Sequence, residues 1–294
     1  MDLLPDALNP AEWVKDFLAD ELLVLIETGI DALTEVYEAT MDMLEELVMR
    51  TPTDFSPGLV ETLRTISDVT IVPLAGLLLT YFFCYQIYEM VVEKNRGSEF
   101  EIGQIIFLII KTSVIILLIT HAFDIALAFT ELGQWIIRQI PASAKVPPVN
   151  IKDMILDSLE DTSVGGMIYM SILTFVSSLL MFFMYLVVYL VAWSRIITLL
   201  LHVSIAPFVL PWIVSNSWIG SMGQNYFKNM LALMLQGFFM AVLLIIYGHL
   251  MEYSAGEIQS SPIVTMITFL GTTGIIVVML TRTHSLAKSA VGAN

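Results

Sequence analysis

Cysteine is nearly absent from this chain. Among 294 residues there is one, Cys84, so no intrachain disulfide can form and the redox compartment stays open. Set in an apolar run, Cys84 is expected to be a small buried hydrophobe. Charge is scarce as well. Only 14% of residues are Asp, Glu, Lys or Arg against 57% hydrophobic, and the mean hydropathy is +0.81, which excludes an ordinary soluble globule. Positive charge is the scarcer sign, with 13 Lys and Arg against 28 Asp and Glu and a net charge of −15. No Lys/Arg stripe is present to neutralise phosphates, so no stable nucleic-acid surface is expected, although transient passage of DNA stays open. HExxH, a Walker A loop and paired intramembrane aspartates are all missing, and GSMG at 220–223 lacks the strand-turn-helix setting of a nucleophile elbow. No enzyme activity, cofactor or metal centre is therefore expected. The opening MDLLPDALNP has no basic n-region and reads as no signal peptide.

What the chain has is long apolar runs. They lie near 69–92, 102–121, 166–192, 229–250 and 262–281, each about the length that crosses the hydrocarbon core as a helix. A sixth run, 196–213, contains two prolines. None alternates with period two, which argues against barrel strands. The expected fold class is all-α: a polytopic helical membrane protein with about five crossings plus a re-entrant or broken Pro-containing helix. Two regions are expected, an acidic extracytoplasmic amphipathic helical region at 1–60 and a transmembrane helical domain at 61–294 with an extracytoplasmic loop over 122–163.

The first region carries most of the charge. Residues 1–60 hold 14 acids and 2 bases, and the rest holds 14 acids and 11 bases. Asn9-Pro10-Ala11-Glu12 reads as a helix start, with Asn9 as N-cap and Pro10 at the first position. Leu22, Ile26, Ile30, Leu33, Tyr37, Leu44 and Val48 recur at helical spacing, with Glu27, Asp31, Glu35, Glu38, Asp42 and Glu45 on another face. That pattern predicts a solvated helix or hairpin packed on a neighbour. It does not predict a membrane anchor, which would carry Lys and Arg. Thr51–Gly58 (TPTDFSPG) reads as a breaker and linker.

The organising stretch runs from Trp193 to Leu250. It places Pro207 and Pro211 inside an apolar segment, and each proline removes a backbone donor and clashes with the preceding turn. In hydrocarbon the freed carbonyls need other partners, so a break is tolerated only against protein or a water-lined cavity. Trp212, Trp218 and Tyr226 in the following small, polar piece suit the headgroup level. Charge placement agrees with an incomplete sixth crossing. Lys94 and Arg96 put the first short loop in the cytoplasm, Arg195 ends the third span on that side, and Arg282 and Lys288 follow the last span. These agree, with the N-terminus outside and the C-terminus in the cytoplasm, only if 196–213 does not cross fully.

Three smaller features remain. Lys111 sits near the middle of the second span, where an ammonium faces the bundle interior; a buried structural pair and a translocation-path residue both fit. His121, Asp124 and Glu131 fall at the end of that span. They read as an interfacial, solvated pair at His121/Asp124 in preference to a proton relay or metal site, because no third ligand stands at metal spacing. Gly271, Thr272, Thr273 and Gly274 let another helix approach closely.

Arg195–Gly248 resembles the polytopic inner-membrane subunit of conjugative type IV secretion systems, the TrbL-like family. The likeness rests on SIAPFVLPWI after a long apolar span, the small-polar segment with Trp218, and NYFKNMLALMLQGFFMAVLLIIYGHL. It implies a bacterial cytoplasmic (inner) membrane protein without catalysis of its own, held in a homo-oligomeric ring in the lipid bilayer. It also implies work with a secretion ATPase, a coupling ATPase and bitopic scaffold subunits to pass DNA–relaxase substrate or assemble a pilus. Pro207, Pro211, Trp212, Trp218, Asn225, Lys228, Gln236 and Gly237 are carried over as structural or contact residues. The competing reading is a small-solute transporter, for which broken helices are also a signature. Such proteins show two related halves, and here there is one break and no internal repeat.

Overall fold

The computed structural model describes residues 10–95, 102–140, 164–214, 218–257 and 262–293. All of its elements are helical. They are α1 (Pro10–Met49), α2 (Pro52–Phe55), α3 (Pro57–Ile66), a π-helical turn (Ser67–Ile71), α4 (Val72–Asn95), α5 (Ile102–Arg138), α6 (Val164–Val209), a 3-10 turn (Leu210–Val214), α7 (Trp218–Glu257) and α8 (Pro262–Val291). Five stretches are long and apolar enough to cross a membrane: Pro57–Val92, Ile102–Arg138, Val164–Val214, Gly220–Met251 and Met266–Val291. The chain is an all-α, multi-pass membrane protein; four of the five expected apolar runs fall within these stretches, and the fifth, 262–281, overlaps the last from Met266 onward.

Several boundaries differ from the sequence expectation. The run 196–213 is no separate helix, because α6 continues from the third span straight through Pro207. Its 46 residues extend about 69 Å, more than twice the roughly 30 Å hydrocarbon core, so α6 cannot lie wholly in hydrocarbon along the membrane normal. The expected loop from 122 begins as helix, since α5 runs unbroken to Arg138; residues 141–163 lie outside the described residues. Asn9, the expected cap, also lies outside them, and α1 starts at Pro10.

The expected linker at 51–58 is a capped helical corner. Thr51 Oγ1 accepts from the Asp54 N–H at 3.0 Å while Asp54 Oδ2 accepts from the Thr51 N–H at 3.2 Å, with Pro52 at the first helical position. Ser56 then caps α3 through Leu59 N–H, again with a proline following. Side-chain acceptors satisfy donors that a helix start leaves orphaned, and proline loses nothing there. Turn-forming residue types thus build two consecutive helix starts.

The helices gather into two compact units, one of Met1–Val48, Pro141–Ala192 and Met240–Arg282, the other of Met49–Ile140, Trp193–Phe239 and Thr283–Asn294. The units cut the chain differently from the boundary expected at residue 60. In the first, the apolar stripe of α1 is realised: Ile26, Ile30, Leu33 and Tyr37 are buried against Met170 and Met181 of α6, Tyr247 and Met251 of α7, and Met266, Phe269 and Ile276 of α8. The neighbour of this acidic helix is therefore apolar span material. Asp31, Glu35, Glu38, Asp42 and Glu45 stay exposed on its other side. Gly29 permits the crossing: a Cβ there would sit 3.3 Å from Thr174 Cβ, and Ser178 Oγ donates to the Gly29 carbonyl at 3.0 Å. Tyr37 meets Phe269 edge-on at 5.5 Å, and the Tyr247 hydroxyl shares a 2.7 Å hydrogen bond with Thr273. Of the small residues at 271–274, a Cβ at Gly274 would meet only the end of Met184 at an ordinary 3.4 Å and one at Gly271 would meet nothing within 4 Å, so neither glycine is required by a close helix approach among the described residues.

The second unit centres on Ala75, Leu79 and Phe82 of α4, Ile115 and Ile119 of α5, and Trp212. Cys84, expected buried, is exposed, because the α4 face carrying Ala75, Leu79 and Phe82 turns inward and Cys84 falls off it. Phe55 meets Trp193 edge-on at 5.2 Å. Asp124 pairs with Arg64, whose guanidinium also lies 5.1 Å over the Phe123 ring. That pairing replaces the expected His121/Asp124 pair.

Candidate functional site

The distinctive backbone lies in the second unit, where α6 passes its prolines. A helical N–H at position i donates to the carbonyl at i−4, so Pro207 leaves the Val203 carbonyl without that donor and Pro211 does the same to Pro207. Pro207 stays inside α6, and the helix gives way three residues later, at the 3-10 turn holding Pro211. Neighbouring side chains supply hydrogen bonds along this stretch. The Tyr226 hydroxyl of α7 donates to the His202 carbonyl at 2.8 Å, and Ser67 Oγ of the π-helical turn donates to the Ser204 carbonyl at 2.9 Å. These two carbonyls flank Val203. Trp212 Nε1 donates to the Phe208 carbonyl at 2.7 Å. The wide turn at Ser67–Ile71 is itself a departure from α-geometry, and such bulges concentrate at functional sites.

Trp212 and Tyr226 are enclosed by protein, where the sequence suggested rings presented to headgroups. Trp212 has no exposed surface and packs edge-on against Phe82 at 5.4 Å; Tyr226 is buried with its hydroxyl spent on α6. An indole or phenol whose polar atom finds a backbone acceptor can be buried whole. Trp218 opens α7, and its side chain lies outside the described residues. The small, polar piece that follows the break is mostly the first turns of α7, which starts at Trp218. Gly223 makes the return possible, since a Cβ there would stand 2.9 Å from both Ile213 Cα and Trp212 C.

Beside this break is an open cleft of about 420 Å³, lined by Ile66, Ser67, Ile71, Leu201, His202, Ser204, Ile205 and Tyr226. The carried-over residues scatter around the unit rather than converge. Pro207 and Pro211 are buried at the break, while Asn225 is exposed. Lys228 reaches the Gly292 carbonyl at 3.4 Å. Gln236 is buried, with Oε1 3.3 Å from His284 Nδ1. Gly237 lies against Arg195, whose Cζ would be 2.7 Å from a Cβ at that position. Lys111 is half-buried and places Nζ 5.4 Å over the Phe82 ring, the same ring that meets Trp212.

Arg195 is the residue whose environment the sequence misrepresents. It was expected as a flanking cation ending the third span. It stands instead inside α6, 4% exposed, with Nε lacking any hydrogen-bond partner. Its position in an otherwise acid-free apolar run was the available signal; Ser67 carried none. Among the described residues no three His, Cys, Asp or Glu side chains come together as a metal cluster.

This arrangement defines a class of protein: a multi-pass helical membrane protein whose irregular backbone is enclosed by its own helices. A family model described as "TrbL/VirB6 plasmid conjugal transfer like protein" matches residues 38–207, more than half the chain, and the chain belongs to that family. The match takes in α2 to α5 and α6 as far as Pro207, overlapping the motif-bearing stretch only at 195–207. No curated protein and no solved structure matches the chain.

Proposed function

We propose that this chain is a scaffold or channel subunit of a conjugative type IV secretion system that helps DNA–relaxase substrate cross the bacterial cytoplasmic membrane. Family membership over residues 38–207 carries the reading, because that family is one of plasmid conjugal transfer. The five stretches able to span the bilayer agree with it. The subunit has no catalysis of its own and works with the secretion ATPase, the coupling ATPase and bitopic scaffold subunits in a homo-oligomeric ring. Its acidic region at 1–60 faces outside and its C-terminus faces the cytoplasm. The region where α6 ends and α7 begins, shaped from within by the buried Pro207 and Pro211 and carrying Trp218, Asn225 and Lys228, is the cytoplasmic docking surface. Gln236, Gly237 and Lys111 hold the bundle behind it.

The test is complementation of a donor strain lacking the gene. The parent chain restores transfer to a recipient and retains the secretion ATPase on pull-down. Replacing Pro207 and Pro211 together by Leu restores two backbone donors and lets α6 propagate, since Leu is a strong helix former. That variant is expected to insert in the membrane yet to lose transfer and the ATPase. Normal transfer by a donor with no copy of the chain overturns the function, and normal transfer by the double variant overturns the role of the break.

A further inference from the structure

We propose that the exposed face of α1 centred on Glu21 docks a second, different protein, one that presents a single Lys or Arg within an apolar surface. Phe17, Leu18, Val24 and Leu25 stand at i−4, i−3, i+3 and i+4 from Glu21. Those are the four positions that surround a side chain on a helix, about 5–6 Å away in Cβ separation. Each of the four is between 46% and 60% exposed, and Glu21 is exposed in their midst. None belongs to the inward stripe, in which Ile26, Ile30, Leu33 and Tyr37 are buried. Glu21 and Ile30 are nine residues apart, which sets them on opposite sides of the helix, about 180° round. The helix thus carries a second apolar face turned away from its own protein, and that face encircles one carboxylate. On a span such side chains would be covered by lipid. Among the described residues, however, α1 is not one of the stretches long and apolar enough to cross a membrane. A contiguous apolar patch on a helix that does not span marks a docking surface.

The charge at the centre of the patch selects the occupant. Burial under lipid would carry Glu21 into hydrocarbon without a partner, a cost that interfacial helices avoid by confining charge to their polar face. Two copies of this face laid on each other set Glu21 against Glu21, and like charges across a contact repel. Residues 1–9 hold two acids and no base, so they bring no counter-ion. Glu21 makes no ion pair among the described residues. A protein cation that enters the ring of four side chains meets the carboxylate as water leaves. The pair is then charge-assisted and shielded at the centre of the contact, where binding energy concentrates. Farther along the same stripe come Thr28, Asp31, Ala32 and Glu35, all exposed. An acidic rim therefore follows the apolar centre, the order found in protein interfaces, and it steers a basic partner toward the patch.

The full chain replaces the native copy in its host, with p-benzoylphenylalanine in place of Leu25, and intact cells are irradiated. The expected product is one adduct with a different protein, whose crosslinked segment contains a Lys or Arg flanked by apolar residues. The yield is expected to fall about tenfold in Glu21→Gln, the equivalent of one charge-assisted hydrogen bond, and to background in Glu21→Lys. Val24→Ser lowers it as well. Glu38→Lys, the same charge change on an exposed acid outside the patch, leaves it unchanged. Changing the partner's cation to Glu restores the adduct of Glu21→Lys. All substituted positions are exposed, so the helix forms in every variant, and thermal midpoints equal to the parent's check that it does. An adduct of twice the chain's mass assigns the face to a second copy, and an internal crosslink assigns it to the chain itself. Crosslinked lipid, or no adduct, leaves no protein there. Each of these overturns the proposal, as does an adduct that survives Glu21→Lys. DNA transfer is not read, so the result stands apart from the conjugation reading.

Discussion

Replacing Gly223 by Ala adds one methyl group at the point where the chain turns from the 3-10 segment into α7. An ideal Cβ there lies 2.9 Å from Ile213 Cα and 2.9 Å from Trp212 C, and nearer still to Ile213 N. These are backbone atoms and cannot rotate away. The two segments must separate by about 1 Å to reach ordinary contact, which loosens a turn anchored by the fully buried Trp212 on Phe82. Overpacking of this kind costs about 1–3 kcal/mol, offset by up to about 1 kcal/mol from the better helix propensity of Ala. With backbone on both sides the upper part of the range applies, for a net loss of about 2 kcal/mol. At about 2.1 cal/mol/K of unfolding entropy per residue, a chain of 294 residues then loses about 3 °C in Tm. Gly76→Ala and Gly271→Ala are the controls, since each Cβ would meet nothing within 4 Å. Thermal unfolding of the three variants and the parent in one detergent decides the matter. A Gly223→Ala midpoint equal to that of Gly76→Ala refutes the close return of the chain.

Four further outcomes are expected. Tyr226→Phe and Ser67→Ala each remove a hydroxyl from an α6 carbonyl, so the double variant should lose about 1–2 kcal/mol, on the scale of interhelical hydrogen bonds in membranes; no change in thermal unfolding would mean those bonds are idle. Lys111→Met keeps an apolar chain against Phe82 and should accumulate at least as well as the parent, whereas Lys111→Glu sets an anion over the ring and should accumulate less, by immunoblot of membranes. Thr51 lowers the carboxyl pKa of Asp54, first through its hydroxyl and then through its N–H, with Arg138 adding to the effect. A depressed folded-state pKa gives stability that is complete above the ordinary carboxylate range and lost as pH falls below about 4; the parent should show that acid loss, and Asp54→Asn a flatter profile. Finally, in a Cys84→Ala background an impermeant maleimide should label Asp20→Cys and Gly256→Cys from outside, and Asn95→Cys, Met222→Cys and Ala290→Cys only after lysis. Outside labelling of both Met222→Cys and Ala290→Cys would reverse the proposed orientation of the C-terminal half.

Runs of about twenty apolar residues and the near absence of charge were enough to establish a helical membrane protein, because hydrocarbon admits few ways of satisfying a backbone and a helix does so within one segment. The inward stripe of α1 was legible for the same local reason: Ile26, Ile30, Leu33 and Tyr37 recur at the helical period, and all four are buried. Sequence also located the proline break near residues 207–211 and required other partners for its carbonyls. Which donors serve that stretch was decided by tertiary structure alone, since Ser67 and Tyr226 stand 137 and 24 residues from the carbonyls they reach. Period and propensity are blind to such distances. The same blindness put Trp212, Tyr226 and Arg195 on lipid or water boundaries. An amphipathic side chain near a span's end reads as interfacial until another helix covers it, and only the packing of α4, α5 and α7 determined that these three are enclosed. Cys84 failed in the opposite sense. When every side of a helix is apolar, hydropathy cannot distinguish the face turned to protein from the face turned to lipid; the contacts of Ala75, Leu79 and Phe82 made that choice.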